Sequence, residues 1–155
     1  MNIRSALLIT SLLLASSAAL AASNSINPFN VFSEIHFTMN NETGAAIPHL
    51  HYVAAENVQE YVLPTSIPMG SYSFTDKVIN PDPQIRTDVM FAAYDGPASN
   101  PTGALFFGVR LIASPDYVPY SNCKTYGDMS KLNCSTHTYV TYNPTTYNVL
   151  IDISK

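Results

Sequence analysis

Charge is scarce in this chain of 155 residues, and tryptophan is absent. Lys and Arg number seven against eleven Asp and Glu, so only 12% of the residues are charged and the formal net charge is −4. Proteins that bind nucleic acid or anionic membranes through electrostatics carry an excess or a patch of basic side chains. The acidic balance therefore argues against both kinds of partner.

The sequence also lacks the compact motifs of several enzyme classes. It contains no G-x-S-x-G, no H-E-x-x-H and no glycine-rich phosphate loop. No acidic segment has the dense D-x-[DN]-x-[DN]-G spacing of a calcium loop. A pair of carboxylates such as Glu56 and Glu60 is the kind that acid–base catalysis of glycoside hydrolysis requires. We therefore favour a non-enzymatic protein and keep a small glycan-active hydrolase as an alternative.

The one long apolar run lies at the N-terminus. Arg4 precedes this run, and small residues follow it up to Ala21, which is the pattern of a secretory signal peptide with its cleavage site. The run is too short for a stable membrane anchor, and no later run approaches the roughly 20 residues of a spanning helix. We predict a signal peptide over residues 1–21, a flexible start over residues 22–32 and one domain over residues 33–155.

The predicted signal peptide indicates that the protein is exported from the cytosol. Its short, Ala- and Leu-rich style is bacterial, so the cell's export machinery would deliver the chain to the periplasm or the medium, without a transmembrane anchor. After cleavage the chain keeps six of its seven Lys and Arg and all eleven Asp and Glu, for a net charge of −5. If the source is a pathogen, a host-directed, virulence-associated role would be natural.

Cysteine is limited to Cys123 and Cys134, with ten mostly polar residues between them. Two cysteines in an exported chain predict one disulfide. A closed loop of this size is worth on the order of 3 kcal/mol in the chain-entropy estimate. There is no C-x-x-C, and only His137 is near enough in sequence to share a metal site with Cys134. The structural bridge is therefore favoured over a redox or metal pair.

Strand-forming residues are abundant, with ten Tyr and seven Phe, and eleven prolines interrupt the chain. No window has a sustained helical period. Short strands separated by turn signals predict an all-β fold, a single antiparallel β-sandwich of about seven to nine strands in immunoglobulin-like or jelly-roll order, with a small barrel as the alternative. The predicted strands cover residues 33–39, 50–54, 58–63, 71–79, 88–94, 104–112, 135–142 and 147–153. Gly108 lies in an apolar segment that we expect to be a central strand. We predict that it marks a bulge or a close backbone approach.

The segment Ile47-Pro48-His49-Leu50-His51-Tyr52-Val53 suggests a metal site. If it is one strand, His49 and His51 share a face about 7 Å apart and can chelate one ion. The alternative is that both histidines face water while the residues between and after them face the core. The first interpretation predicts a periplasmic or extracellular copper- or zinc-binding protein; otherwise no cofactor is expected.

Copper or zinc normally needs a third or fourth protein ligand. Two sources are available in the sequence. His36 alternates with Glu34 on the polar face of its strand, so both can join the site if that strand pairs beside the first. His137 is the other candidate. All four histidines of the chain would then converge.

Tyrosines near the C-terminal half suggest a ligand surface. We predict that Tyr126, Tyr139, Tyr142 and Tyr147 form a face that binds an extracellular protein, a glycan or a lipid, because tyrosine has a large apolar ring and a polar tip. Polar, proline-containing loops at residues 80–84 and 95–101 are rigid enough to add a binding edge. The alternative is that these tyrosines are ordinary residues of a sandwich surface.

Overall fold

The computed structural model describes residues 31–82, 84–97, 99–111 and 120–155. The predicted signal peptide and most of the predicted flexible start lie outside the described residues. Within the described ranges no helix is both long and apolar enough to cross a membrane.

The described residues form eleven strands and one 3₁₀-helix at Asp128–Lys131. The strands are β1 Glu34–Asn41, β2 Ile47–Pro48, β3 His51–Glu56, β4 Val58–Gln59, β5 Ser66–Ile67, β6 Gly70–Val78, β7 Thr87–Asp95, β8 Gly103–Leu111, β9 Tyr120–Gly127, β10 Asn133–Thr141 and β11 Thr146–Ser154. Three strands have only two residues, including the part of residues 58–63 that is extended. β9 was not predicted, and its residues from 124 onward were taken as part of the disulfide loop.

Two sheets form the sandwich. The five-stranded sheet has the order β10-β11-β1-β6-β4, and the four-stranded sheet has the order β3-β7-β8-β9. Their inner faces meet through aromatic rings: Phe91 of β7 packs edge-on against Phe37 of β1 at 5.0 Å and Phe74 of β6 at 5.5 Å between ring centroids. The predicted all-β sandwich is confirmed, and β8 is a central strand as expected.

One pair of strands departs from the antiparallel prediction. β1 and β11 run parallel in unbroken register from Glu34↔Thr146 to Asn41↔Ile153. Parallel neighbours require a long crossover instead of a hairpin. Here the whole chain between the first and last strands serves as that crossover, and no local sequence signal encodes such a pairing.

The disulfide between Cys123 and Cys134 is confirmed, with a Cα–Cα distance of 5.7 Å that lies in the normal range. It closes the ten-residue segment between the cysteines as predicted, but that segment contains the end of β9 and the 3₁₀-helix. Cys123 lies in β9 and Cys134 in β10, which are edge strands of different sheets. The bridge therefore fastens the two sheets together along one side of the sandwich.

Gly108 marks a close backbone approach and not a bulge, because β7 and β8 pair in continuous register through it. A Cβ atom at this position would lie 2.2 Å from the carbonyl oxygen of Val89 and 2.7 Å from Sδ of Met90. Any side chain here would collide with backbone that has no room to move. The side chain of Met90 lies instead over the space that Gly108 leaves.

Candidate functional site

The two histidines of the predicted metal pair do not share one strand face. β2 ends at Pro48, and His49 follows it with a φ of 58°, in the left-handed region, before β3 begins at His51. Both imidazoles are exposed, whereas Leu50 is buried and Tyr52 packs against the core. The structure therefore has the solvated arrangement, and the strand spacing assumed for chelation is wrong because His49 lies outside the strand.

The other predicted ligands lie on the five-stranded sheet. His36 of β1 places Nδ1 2.8 Å from the Thr75 hydroxyl, and His137 of β10 places Nε2 3.9 Å from a carboxylate oxygen of Asp152. Glu34 lies opposite Lys77 of β6 in the same sheet. His51 belongs to the four-stranded sheet. The expected convergence of the four histidines is therefore wrong.

No group of three or more His, Cys, Asp and Glu residues in the described part of the chain is arranged to hold a metal ion. Binding of copper or zinc by His49 and His51 alone stays a prediction. His51 has a different set of contacts: its Nδ1 lies 2.9 Å from the carbonyl oxygen of His49, and its ring packs on Tyr94.

The four predicted tyrosines do not form one face. Tyr147 is only 1% exposed and packs edge-on against Phe32 at 5.2 Å, and burial raises the pKa of its hydroxyl. Tyr139 lies in β10 and Tyr142 in the turn that follows, both exposed, on the five-stranded sheet. Tyr126 lies in β9 of the other sheet. The single tyrosine face is wrong, because strand order separates residues that are close in sequence.

On the outer face of the five-stranded sheet, several polar side chains form hydrogen bonds with one another. Thr38 and Ser73 are joined by hydroxyls 3.0 Å apart, and the Asn40 amide donates to Asp152 at 2.8 Å. His36 and Tyr139 flank a recess of about 140 Å³ that also includes Asn148, Thr38, Val149 and Leu150. The Asn148 amide in that recess already donates to Thr141 and Thr146. Several polar side chains of this face are thus hydrogen-bonded within the protein.

The outer face of the four-stranded sheet is different in character. Four rings, which we call the aromatic row, lie side by side across it: His51, Tyr94, Phe106 and Tyr126, one from each strand in the order β3-β7-β8-β9. Successive ring centroids are 5.0, 6.3 and 5.7 Å apart, and the last two contacts are edge-on. These are the separations and orientations that aromatic pairs favour.

The register of the sheet explains how rings from different strands reach one another. Phe106 lies opposite Ala92 of β7, and Ala104 lies opposite both Tyr94 of β7 and Tyr126 of β9. Each large ring thus has a small residue beside it, and diagonal neighbours in a sheet are within reach of aromatic side chains. His51 and Phe106 therefore lie at one height along the strands, and Tyr94 and Tyr126 lie at the next, so the rings alternate across the sheet.

A groove lies along one half of the aromatic row. It has a volume of about 370 Å³ and is lined by Met90, Phe106, Asn122, Lys124 and Tyr126. The two aromatic rings and Met90 give it apolar walls, while the amide and the ammonium group supply hydrogen-bond donors. Tyr126 is 51% exposed, so its ring is open to a ligand from solvent. The groove combines apolar surface with a few polar groups, as small-molecule sites do.

A charged cluster lies at one end of the same face. Asp88 is 3% exposed and accepts hydrogen bonds on Oδ2 from Arg86 and from both Nε (3.0 Å) and Nη2 (2.7 Å) of Arg110. Burial alone would raise the pKa of Asp88, but hydrogen bonds and charge from the two arginines outweigh it and hold the pKa below its usual value. Arg86 also pairs with Glu56 at 3.3 Å. Most charge on this face is therefore internally neutralised.

The sequence analysis identified only two members of the aromatic row, each for another reason. Tyr94 and Phe106 were treated as ordinary strand residues, and residues 124–126 were assigned to the disulfide loop. The alternation of Asn122, Lys124 and Tyr126 was the available signal, because residues at i, i+2 and i+4 share one face of a strand. Interpreting that segment as a strand would have placed all three on one surface.

No protein-family model matches this chain, and no curated protein matches its sequence. A β-sandwich by itself implies no particular activity, because one architecture carries many unrelated functions. A function for this protein therefore has to be inferred from the chemistry of its surface.

Proposed function

We propose that this protein is a secreted, non-enzymatic binding protein that holds an oligosaccharide against the aromatic row. The observation that supports this function best is the continuous line of four rings, joined by three ring contacts, across all four strands of one sheet. Sugar rings have apolar C–H faces and polar edges, so they stack on aromatic rings while their hydroxyls bind polar neighbours. The groove supplies such neighbours in Asn122 and Lys124.

The length of the row favours a chain of sugars over a single one. Adjacent strands lie about 4.8 Å apart, so a row across four strands is roughly 15 Å long. A ligand that uses the whole row therefore extends across the strands from β3 to β9. The rings are held by contacts with one another, so little side-chain freedom is lost when the ligand binds.

A protein or a lipid surface fits this face less well. A stable protein interface usually buries about 800 Å² on each partner around an apolar centre. The aromatic row is one ring wide and is bounded by the charged cluster of Glu56, Arg86, Asp88 and Arg110. A lipid interface would also have to desolvate that cluster, which is costly.

Two further features support secretion and binding without turnover. The disulfide between Cys123 and Cys134 suits an oxidising compartment outside the cytosol. Glu56 and Asp88, the acidic residues placed on this face, are both ion-paired with Arg86. A glycosidase requires one carboxyl group that donates a proton and a second that attacks or activates water, and paired carboxylates are poorly suited to the first task.

The test begins with a glycan array probed with residues 22–155, followed by titration of the best hit. We expect Phe106→Ala and Tyr126→Ala each to weaken binding at least tenfold, while Tyr139→Ala, an exposed tyrosine of the other sheet, leaves it unchanged. Circular dichroism and thermal melts of each variant separate lost binding from lost folding. Absence of any glycan ligand, or an equal loss in Tyr139→Ala, would overturn the proposal. Release of new reducing ends from the bound glycan would replace it with the hydrolase alternative.

A further inference from the structure

We propose that the ligand of the aromatic row is an acidic glycan whose anionic group binds the ammonium group of Lys124. This inference rests on the proposed function and specifies its ligand class. Lys124 lines the groove together with Phe106 and Tyr126. It lies directly opposite Phe106 in the β8–β9 ladder, so its stem stands beside that ring on the same face.

The charge of Lys124 has no partner in the described part of the protein. The ion pairs of that part involve Arg86, Arg110 and His137, and none involves Lys124. The side chain is exposed. An ammonium group in a groove, beside two aromatic walls and with no carboxylate partner among the described residues, is available to an anion from solution.

The surroundings make this charge distinctive. Arg86 and Arg110 on the same face are engaged with Asp88, and Arg86 also with Glu56. Among the described residues that line the groove, Lys124 is therefore the one that carries a positive charge, in a chain whose overall net charge is −4. An acidic ligand is repelled by the protein as a whole and attracted at this place, which favours binding in one location and orientation.

The geometry matches the parts of an acidic sugar. Its ring would stack on Phe106 or Tyr126, its carboxylate or sulfate would accept hydrogen bonds from Lys124, and a hydroxyl or ring substituent would accept from the Asn122 amide. Hydrogen bonds between ionised groups are about twice as strong as those between neutral groups. A neutral sugar would keep the stacking and lose this charge-assisted bond.

The decisive experiment compares three oligosaccharides that share one backbone: a hexuronic acid oligomer, the same oligomer with its carboxyl groups reduced to alcohols, and a sulfated form of the reduced oligomer. Each is titrated by calorimetry with the wild-type protein, Lys124→Gln, Lys124→Arg, Lys77→Gln and Tyr126→Ala. Lys77 is an exposed lysine on the five-stranded sheet and controls for a general loss of positive charge.

We expect the wild type and Lys77→Gln to bind the hexuronic oligomer at least tenfold more tightly than the reduced one. Lys124→Gln should bind both equally, and Lys124→Arg should keep most of the preference. The sulfated arm tells whether the anion must be a carboxylate. Equal wild-type affinity for the acidic and reduced oligomers, with both still weakened at least tenfold by Tyr126→Ala, would overturn this inference and leave the proposed function standing. Failure to bind any oligosaccharide would remove both.

Discussion

Tyr52 and Asp76 are joined by a hydrogen bond that connects the two sheets inside the sandwich. The Tyr52 hydroxyl on β3 donates to Oδ1 of Asp76 on β6 at 2.7 Å, and the backbone N–H of Tyr61 donates to the same oxygen at 3.0 Å. Asp76 is fully buried, and its Oδ2 has no hydrogen-bond partner among the described residues. Burial raises the pKa of this carboxyl above its ordinary value, although both hydrogen bonds act in the opposite direction.

The raised pKa of Asp76 predicts a distinct pH dependence of stability. Between the unfolded pKa of about 3.9 and the raised folded pKa, the folded state binds more protons than the unfolded state. The contribution of Asp76 to the free energy of unfolding is therefore full below about pH 3.9 and is lost as the pH rises through the folded pKa. Urea unfolding at a series of pH values should show that the stability of the wild type relative to Asp76→Asn falls with rising pH. A constant difference would contradict the prediction.

Removing the donor should also destabilise the protein. Tyr52→Phe keeps the ring, which packs against Phe91 at 4.7 Å, and deletes the hydroxyl that reaches Asp76. The buried acceptor then loses one partner, which costs about 1–3 kcal/mol. Chemical denaturation should show this loss, whereas Tyr139→Phe, which deletes an exposed hydroxyl, should change the free energy of unfolding by less than about 0.5 kcal/mol. Equal effects would show that the Tyr52 hydroxyl contributes nothing specific.

Asp88 should produce the opposite pH trend in a different range. Its pKa is held low by Arg110 and Arg86, so its contribution to stability is present above about pH 3.9 and is lost as the pH falls through the lowered folded pKa. Asp88→Asn should cost about 1–3 kcal/mol at neutral pH, since both arginines are partly exposed. The deficit should shrink below pH 3.9. A deficit that stays the same in acid would exclude the ion pair as its source.

Loss of the disulfide should loosen the two sheets. The Cys123→Ser/Cys134→Ser double variant is expected to lose about 3 kcal/mol of unfolding free energy, because the unfolded chain is no longer constrained. Denaturation of the wild type in the presence of a reductant should approach the curve of the double variant, which itself should not respond to reductant. A wild type that is insensitive to complete reduction would contradict this expectation.

Gly108 and Gly70 should respond to alanine for different reasons. At Gly108 the new methyl group meets the carbonyl oxygen of Val89 at 2.2 Å, so we expect overpacking of about 3 kcal/mol or more. At Gly70 nothing lies within 4 Å, and only its φ of 85° opposes alanine, at about 1 kcal/mol. Thermal or urea unfolding of the two variants checks the order. The reverse order would mean that β7 and β8 separate more easily than their close approach implies.

Local sequence signals predicted much of the fold. Alternation placed Ile35, Phe37 and Met39 on the inner face of β1, and all three are fully buried. The disulfide followed from cysteine number and expected export, and the position of β8 from its apolar run. These features depend on residues near one another in the chain, where a strand period of two residues can be recognised directly.

The aromatic row and the separation of the predicted sites were decided by tertiary structure alone. His51, Tyr94, Phe106 and Tyr126 come from four strands, and only their pairing order and register place the rings in contact. The same order carries Tyr139 to the other sheet and buries Tyr147. The sequence thus determined which residues form strands and which side of each strand is apolar. Strand order and register, which depend on long-range pairing, decided which side chains meet on one surface.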